Sequence, residues 1–167
     1  MKTIVNTLLA FVSQPVLLLI LLMTTACQSD NWQGIQSSQV SEMSESIRTE
    51  TPGDYFIGRR YYKQDYKFWG WVRKPGQPWS SARLIMMNEQ KKLAPDREKG
   101  TLGSDNGYEY KLYGNFSGET VYEPASNGFY PEFILSGYEL RSTNPPPIYR
   151  NVAAALDPTR RVIEAPH

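Results

Sequence analysis

Three aromatic-rich segments each carry a glycine near their middle, and this pattern limits the fold more than any other feature of the chain. They are Tyr66-Lys67-Phe68-Trp69-Gly70-Trp71-Val72-Arg73, Tyr108-Glu109-Tyr110-Lys111-Leu112-Tyr113-Gly114-Asn115-Phe116 and Glu132-Phe133-Ile134-Leu135-Ser136-Gly137-Tyr138-Glu139-Leu140. Side chains that alternate with a period of two read as strands. A glycine inside a strand marks a bulge, a sharp bend or a close backbone approach. Gly70, Gly114 and Gly137 together favour a tightly coiled small barrel over a flat sheet.

Residues 55–62 form another aromatic-dense strand, and residues 82–88 read as a mostly buried one. Thr120-Val121-Tyr122 makes a short strand before a loop at 124–128, and Lys74-Pro75-Gly76-Gln77-Pro78 is a turn. The best helix candidate in this region, residues 88–97, is limited by Pro95. About five or six curved strands with a longer middle connection at 90–107 are the features of an OB-like barrel. The fold class is therefore all-β, with one small barrel domain over residues 54–141. At about ninety residues, it is near the lower comfortable limit for a single-core domain. The lone cysteine, Cys27, makes no intramolecular bridge, so stability must come from packing.

Outside the barrel the chain has three further parts. Residues 1–26 carry Lys2 and then the apolar run Val16-Leu17-Leu18-Leu19-Ile20-Leu21-Leu22-Met23, as a secretory signal does. Gln14-Pro15 breaks the longer apolar stretch. An uncleaved anchor from Ile4 to Ala26 is the alternative. Residues 27–53, rich in Ser, Gln, Glu and Thr, read as a disordered tether. As a coil, about 25 such residues span roughly 25–30 Å. Val40, Met43 and Ile47 offer one short amphipathic helix over residues 39–48 as the other reading. Residues 142–167 form an irregular Pro-rich tail, with a helical turn at Val152-Ala153-Ala154-Ala155-Leu156 and a fraying end. A docking role for Ile148 and Tyr149 on the barrel is open.

Thr24-Thr25-Ala26-Cys27 resembles the lipobox of bacterial lipoproteins, with Thr24 where leucine is usual. The resemblance implies a diacyl (palmitate-type) thioether on Cys27, removal of residues 1–26 and acylation of the new terminus. Two or more chains hold a protein firmly on a bilayer. By the same resemblance, Gln28 in place of Asp directs the protein to the outer membrane, facing the periplasm. The order of a signal, then Phe68-Trp69-Gly70-Trp71-Val72, then Leu112-Tyr113-Gly114-Asn115-Phe116-Ser117-Gly118-Glu119 is similar in layout to Slp-type outer-membrane lipoproteins, which carry a small β-barrel domain. It carries over no binding residue.

Catalytic and metal sets are nearly absent from the sequence. The one histidine is His167, so a Ser-His-Asp or Cys-His mechanism has no base and zinc lacks ligands. Ser104-Asp105-Asn106, flanked by Gly103 and Gly107, reads as a turn. No cofactor is expected. Glu119, Glu123 and Glu132 are the remaining catalytic option, as a carboxylate pair of an envelope carbohydrate hydrolase.

Strict alternation puts Lys67, Trp69, Trp71 and Arg73 on one strand face, joined by Arg59, Arg60 and Trp79. Interleaved aromatics and cations suit stacking on sugars or bases. The competing reading is that both tryptophans cover the barrel under residues 55–62, with the Lys and Arg stems lying along them. A net charge of +1 gives no electrostatic footprint for nucleic acid. The expected function is a non-enzymatic binding or structural module of the envelope. It would contact a protein or glycan through the Trp69/Trp71 face or the Tyr122–Tyr130 loop, and reach the membrane through the lipid on Cys27. The sequence says nothing of oligomeric state.

Overall fold

A computed structural model describes residues 30–167, with side chains from residue 38 onward. The signal segment and Cys27 lie outside the described residues. Helix α1 runs Asp30–Arg48. From Gln39 the chain belongs to one compact unit, Gln39–His167, described below. Among the described residues, no helix is long and apolar enough to cross a membrane.

The strands are β1 (Phe56–Arg60), β2 (Gly70–Arg73), β3 (Arg83–Asn88), β4 (Glu109–Glu123) and β5 (Gly128–Ser142). They close into a barrel in the order β1-β2-β3-β5-β4, and β4 returns to pair with β1. All pairings are antiparallel except β3 with β5. This is a five-stranded OB-like barrel. A helical turn, α2 (Pro95–Glu98), interrupts the long connection from β3 to β4. The sequence suggests that Pro95 ends a helix, whereas here it begins one. At the first helical position the missing N–H costs nothing, since that group has no intrahelical partner.

Two of the three strand glycines act as expected. A Cβ on Gly70 would collide with the Arg59 carbonyl, so the close crossing of β1 and β2 needs glycine there. Gly114 has φ +150 and would meet the Ile134 carbonyl, at a register shift between β4 and β5. Gly137 lies opposite Tyr113 with ordinary room.

Two cores result. The barrel interior holds Phe56, Trp69, Val72, Ile85, Tyr110, Leu112, Phe133 and Leu135. Phe56, Phe116 and Phe133 meet edge to face there, with ring centroids 5.1 to 5.5 Å apart. The second core lies on the outer face of β1–β3. Ile57, Phe68, Trp79 and Leu84 pack there with Ile148, Tyr149 and Ala155 of the C-terminal segment. Met43 and Ile47 of α1 pack against the same cluster, while Val40 stays exposed.

This second core includes residues on both sides of the barrel segment. Of the segment read as a tether, the part from Gln39 onward belongs to the compact unit, where Met43 and Ile47 agree with the short helix that the sequence offers over residues 39–48. The C-terminal segment is irregular and is bonded to the barrel along its length. Its turn α3 (Val152–Leu156) is capped by Asn151, whose side chain accepts from the Ala154 N–H at 3.0 Å. Lys63 Nζ donates to the Asp157 carbonyl at 2.8 Å, and Asn106 Nδ2 donates to that of Leu156 at 2.8 Å. Farther on, the His167 N–H donates to the Ile148 carbonyl at 3.1 Å.

Candidate functional site

The tryptophan face does not exist as one surface. Alternation places Trp69 and Trp71 together, but Trp69 precedes β2 and turns into the barrel, where it is 3% exposed. Gly58 makes the room, since a Cβ there would strike the Trp69 ring. Trp71 points the other way and packs, half-buried, in the outer core. Arg73 is buried, and only Lys67 of the four is exposed. Trp79, proposed to join them, is 2% exposed.

The arginines serve two internal charge networks. On the outer face, both Arg73 terminal nitrogens donate to Glu50 at 2.7 Å. Arg59 donates to Glu109 at 2.7 Å, and Arg141 bridges Glu50 and Glu109 at 3.0 and 2.9 Å. The guanidinium groups of Arg59 and Arg73 lie over the Trp79 ring, 5.1 and 4.5 Å from its centroid. Burial raises the Glu50 pKa, but the bonds from Arg73, Gly76 and Arg141 outweigh it and hold the carboxyl below its ordinary value. Inside the barrel, Arg60 pairs with Asp96 at 2.9 Å and with Asp105 at 3.4 Å. Burial pushes Asp105 up. It also raises Asp96, but Arg60 and the Gly103 N–H bring that group down. Two carboxylates sharing one cation separate in this way. Asp105 is thus more than a turn residue: it also accepts from the Tyr110 hydroxyl at 2.9 Å. Glu50 and Arg141 were missed, because nothing local pairs positions so far apart.

Of the three carboxylates offered as the catalytic alternative, Glu123 and Glu132 have separate hydrogen-bonding partners. Glu123 is 1% exposed and caps the β4–β5 turn, accepting from the Ser126 and Ala125 N–H groups at 2.7 and 3.3 Å. Burial raises its pKa, yet these bonds and one from the Lys67 backbone keep it below the usual carboxylate value. A general acid needs the opposite shift. Glu132 accepts from Asn88 Nδ2 at 2.9 Å, and Glu119 is exposed at a β-bulge. Among the described residues, no group of three His, Cys, Asp or Glu could hold a metal ion.

Among the described residues, two accessible features present aromatic side chains besides the ones named so far. The first is the end of the β4–β5 hairpin. β1 pairs with β4 only over Phe56–Arg59 and Glu109–Leu112, and β3 reaches β5 only at Glu132–Ile134. The pairs Thr120–Pro131 to Glu123–Gly128 therefore stand beyond both neighbouring strands. Tyr122 and Phe129 lie opposite each other there, with centroids 5.1 Å apart, and are 46% and 70% exposed. The turn is fixed by Glu123, by Tyr122 Oη donating to Asn127 at 2.8 Å, and by Tyr130 Oη donating to Ser126 at 3.0 Å. Asn127 takes the left-handed conformation, φ +51, that asparagine tolerates.

The second feature is a groove of about 520 Å³ between the β1–β2 loop, the end of β3 and α2. Tyr62, Tyr66 and Phe68 line it, with Lys67, Glu89 and Arg97. The sequence points to Lys67 but not to the others, which lie in three separate segments. Oligonucleotides and oligosaccharides on such barrels commonly use the face of the second and third strands. Here that face carries the outer core and is covered by residues 148–163. No family model, curated protein or solved structure matches this chain.

Proposed function

We propose that this protein is a lipid-anchored, non-enzymatic binding or structural module of the cell envelope. Acyl chains on Cys27 would hold it at the outer membrane, facing the periplasm. It meets a protein partner through the end of the β4–β5 hairpin. One observation carries the reading: Tyr122 and Phe129 form an exposed ring pair on a turn whose hydrogen bonds are already made. Rigid aromatic anchors lose little conformational entropy on binding and dominate interface energetics. With Trp69 and Trp71 in the cores, the Tyr122–Tyr130 loop is the surviving contact surface of the two that the sequence offers.

Two measurements test this. Palmitate labelling with membrane fractionation, on wild type and Cys27→Ala, examines the anchor. Label lost on substitution, with the wild type in the outer-membrane fraction, supports it. An unlabelled chain with an intact N-terminus removes the localisation altogether. For the contact, a photo-crosslinking residue is placed at position 129 and, as a control, at exposed Lys91. The reading predicts a discrete adduct from 129 that Tyr122→Ser abolishes. Equal adducts from both positions, or none from 129, would refute the hairpin contact.

A further inference from the structure

We propose that the groove beside α2 is a second, separate site and binds a short saccharide carrying a carboxylate. This inference goes beyond the envelope-module reading and requires neither the hairpin nor the lipid anchor. The groove's volume of about 520 Å³ falls in the range of small-ligand sites. Its walls combine flat rings with charge, and that mixture selects the ligand. An aliphatic ligand would strip water from Lys67, Glu89 and Arg97 without replacing the lost hydrogen bonds. A nucleic-acid strand needs a track of cations along its backbone. Here Arg60 is committed to Asp96, and Arg97 lies 3.5 Å from Glu89.

A sugar suits both the rings and the open charges. Its C–H face fits against the half-buried rings of Tyr62 and Tyr66, with buried Phe68 backing Tyr66 at 5.0 Å between centroids. Glu89 and Arg97 stand side by side as an acceptor and a donor, and neighbouring sugar hydroxyls can serve both. Lys67 is exposed and has no ion-pair partner among the described residues, so it is left to meet a carboxylate. The groove is already formed. Its loop is pinned to the C-terminal segment by Gln64 N–H to the Pro158 carbonyl at 2.9 Å, by Arg161 Nε to the Asp65 carboxylate at 2.7 Å and by Tyr66 Oη to the Arg161 carbonyl. Binding therefore costs little ordering of the site.

The test is isothermal titration of the full-length protein in detergent micelles. The acidic probe is a tetrasaccharide alternating N-acetylglucosamine with N-acetylmuramic acid. The neutral counterpart is the N-acetylglucosamine tetramer. The acidic probe is expected to bind with a dissociation constant below about 1 mM and more tightly than the neutral one. Lys67→Glu should weaken it roughly tenfold or more, through the loss of one charge-assisted hydrogen bond. Arg97→Ala should weaken both probes, and Phe129→Ser should change neither. No heat from either probe at about 5 mM, neutral binding as tight as acidic, or indifference to Lys67→Glu would each overturn the proposal. Loss of binding in Phe129→Ser would move the saccharide to the hairpin and overturn the groove as its site.

Discussion

The two faces of β1 bury different kinds of core. Inward, Phe56 and Arg60 meet residues drawn from the strands and from the β3–β4 connection, between positions 56 and 135. Outward, Ile57 and Arg59 meet a layer that runs from Met43 to Ile163. The inner core is made by strand alternation, which is local. The outer core exists only once both ends of the domain have come back over the barrel. Their charges also differ. Inside, two carboxylates share Arg60. Outside, Arg59, Arg73 and Arg141 share Glu50 and Glu109. The barrel closes its own interior, while its outer face is sealed by distant chain, and the hairpin end and the groove stay accessible.

The sharpest way to break this comparison is Glu50→Ala. It leaves Arg73 buried without its partner and takes one of two anchors from Arg141. Breaking a buried pair in this way costs about 3–5 kcal/mol, readable by urea denaturation. A loss near that of an exposed ion pair would mean that residues 49–53 are not fixed on the barrel. Next comes Ile148→Ala, which empties a fully buried site in the outer core at a cost of about 2–5 kcal/mol. A fraying tail would show almost none of that loss.

Acid separates Glu50 of the outer network from Asp105 of the inner one by sign. The folded Glu50 pKa lies below its ordinary 4.5, so its contribution is complete above that value and is lost as pH falls through the lower folded one. Asp105 is shifted upward. The folded state then holds the proton more tightly than the unfolded state. Asp105 therefore opposes folding above its raised value and ceases to do so as pH falls through it. Urea midpoints across pH 3–7 should fall less steeply toward acid in Glu50→Gln than in wild type. They should fall more steeply in Asp105→Asn. Parallel curves for all three would contradict the split. The smallest effect belongs to Phe129→Ser, which should leave stability within about 0.5 kcal/mol, because its ring is exposed. A larger loss would make that ring structural and weaken its assignment as a contact.

Much of the barrel is legible in the sequence, because alternation and interior glycine act over a few residues. Gly70 and Gly114 lie where strands cross closely, as expected. The short strand at 120–122 proves to be the outer part of a single long β4, interrupted by a bulge at Phe116/Thr120 that the alternation hides. Trp69 shows where alternation fails. Its inward turn depends on the space left by Gly58, on another strand, and no pattern along residues 66–73 contains that information. The polar composition of residues 27–53 hides Glu50, because a carboxylate marks a core only once its arginines arrive from positions 73 and 141. For the same reason the tail looks like one that frays: Ile148, Tyr149 and Ala155 are few, and the surface that receives them is made elsewhere. Of the accessible sites, Tyr122 and Lys67 carry local signals, but the grouping of Lys67 with Glu89 and Arg97 is tertiary.

Native-state hydrogen exchange of the backbone amides tests the central claim most directly. Ala155 donates its N–H to Asn151, Asp157 to Ala153 and Gln64 to Pro158, and all three bonds depend on the C-terminal segment being seated. If that segment completes a second core, these amides should exchange with nearly the protection of the barrel amides of Ile57 and Ile85, opening only with the whole domain. If they exchange orders of magnitude faster while the barrel stays protected, the segment is a loosely held flap. The outer face of β1–β3 would then be open to ligands, and a second core sealed by the two ends of the domain would be contradicted.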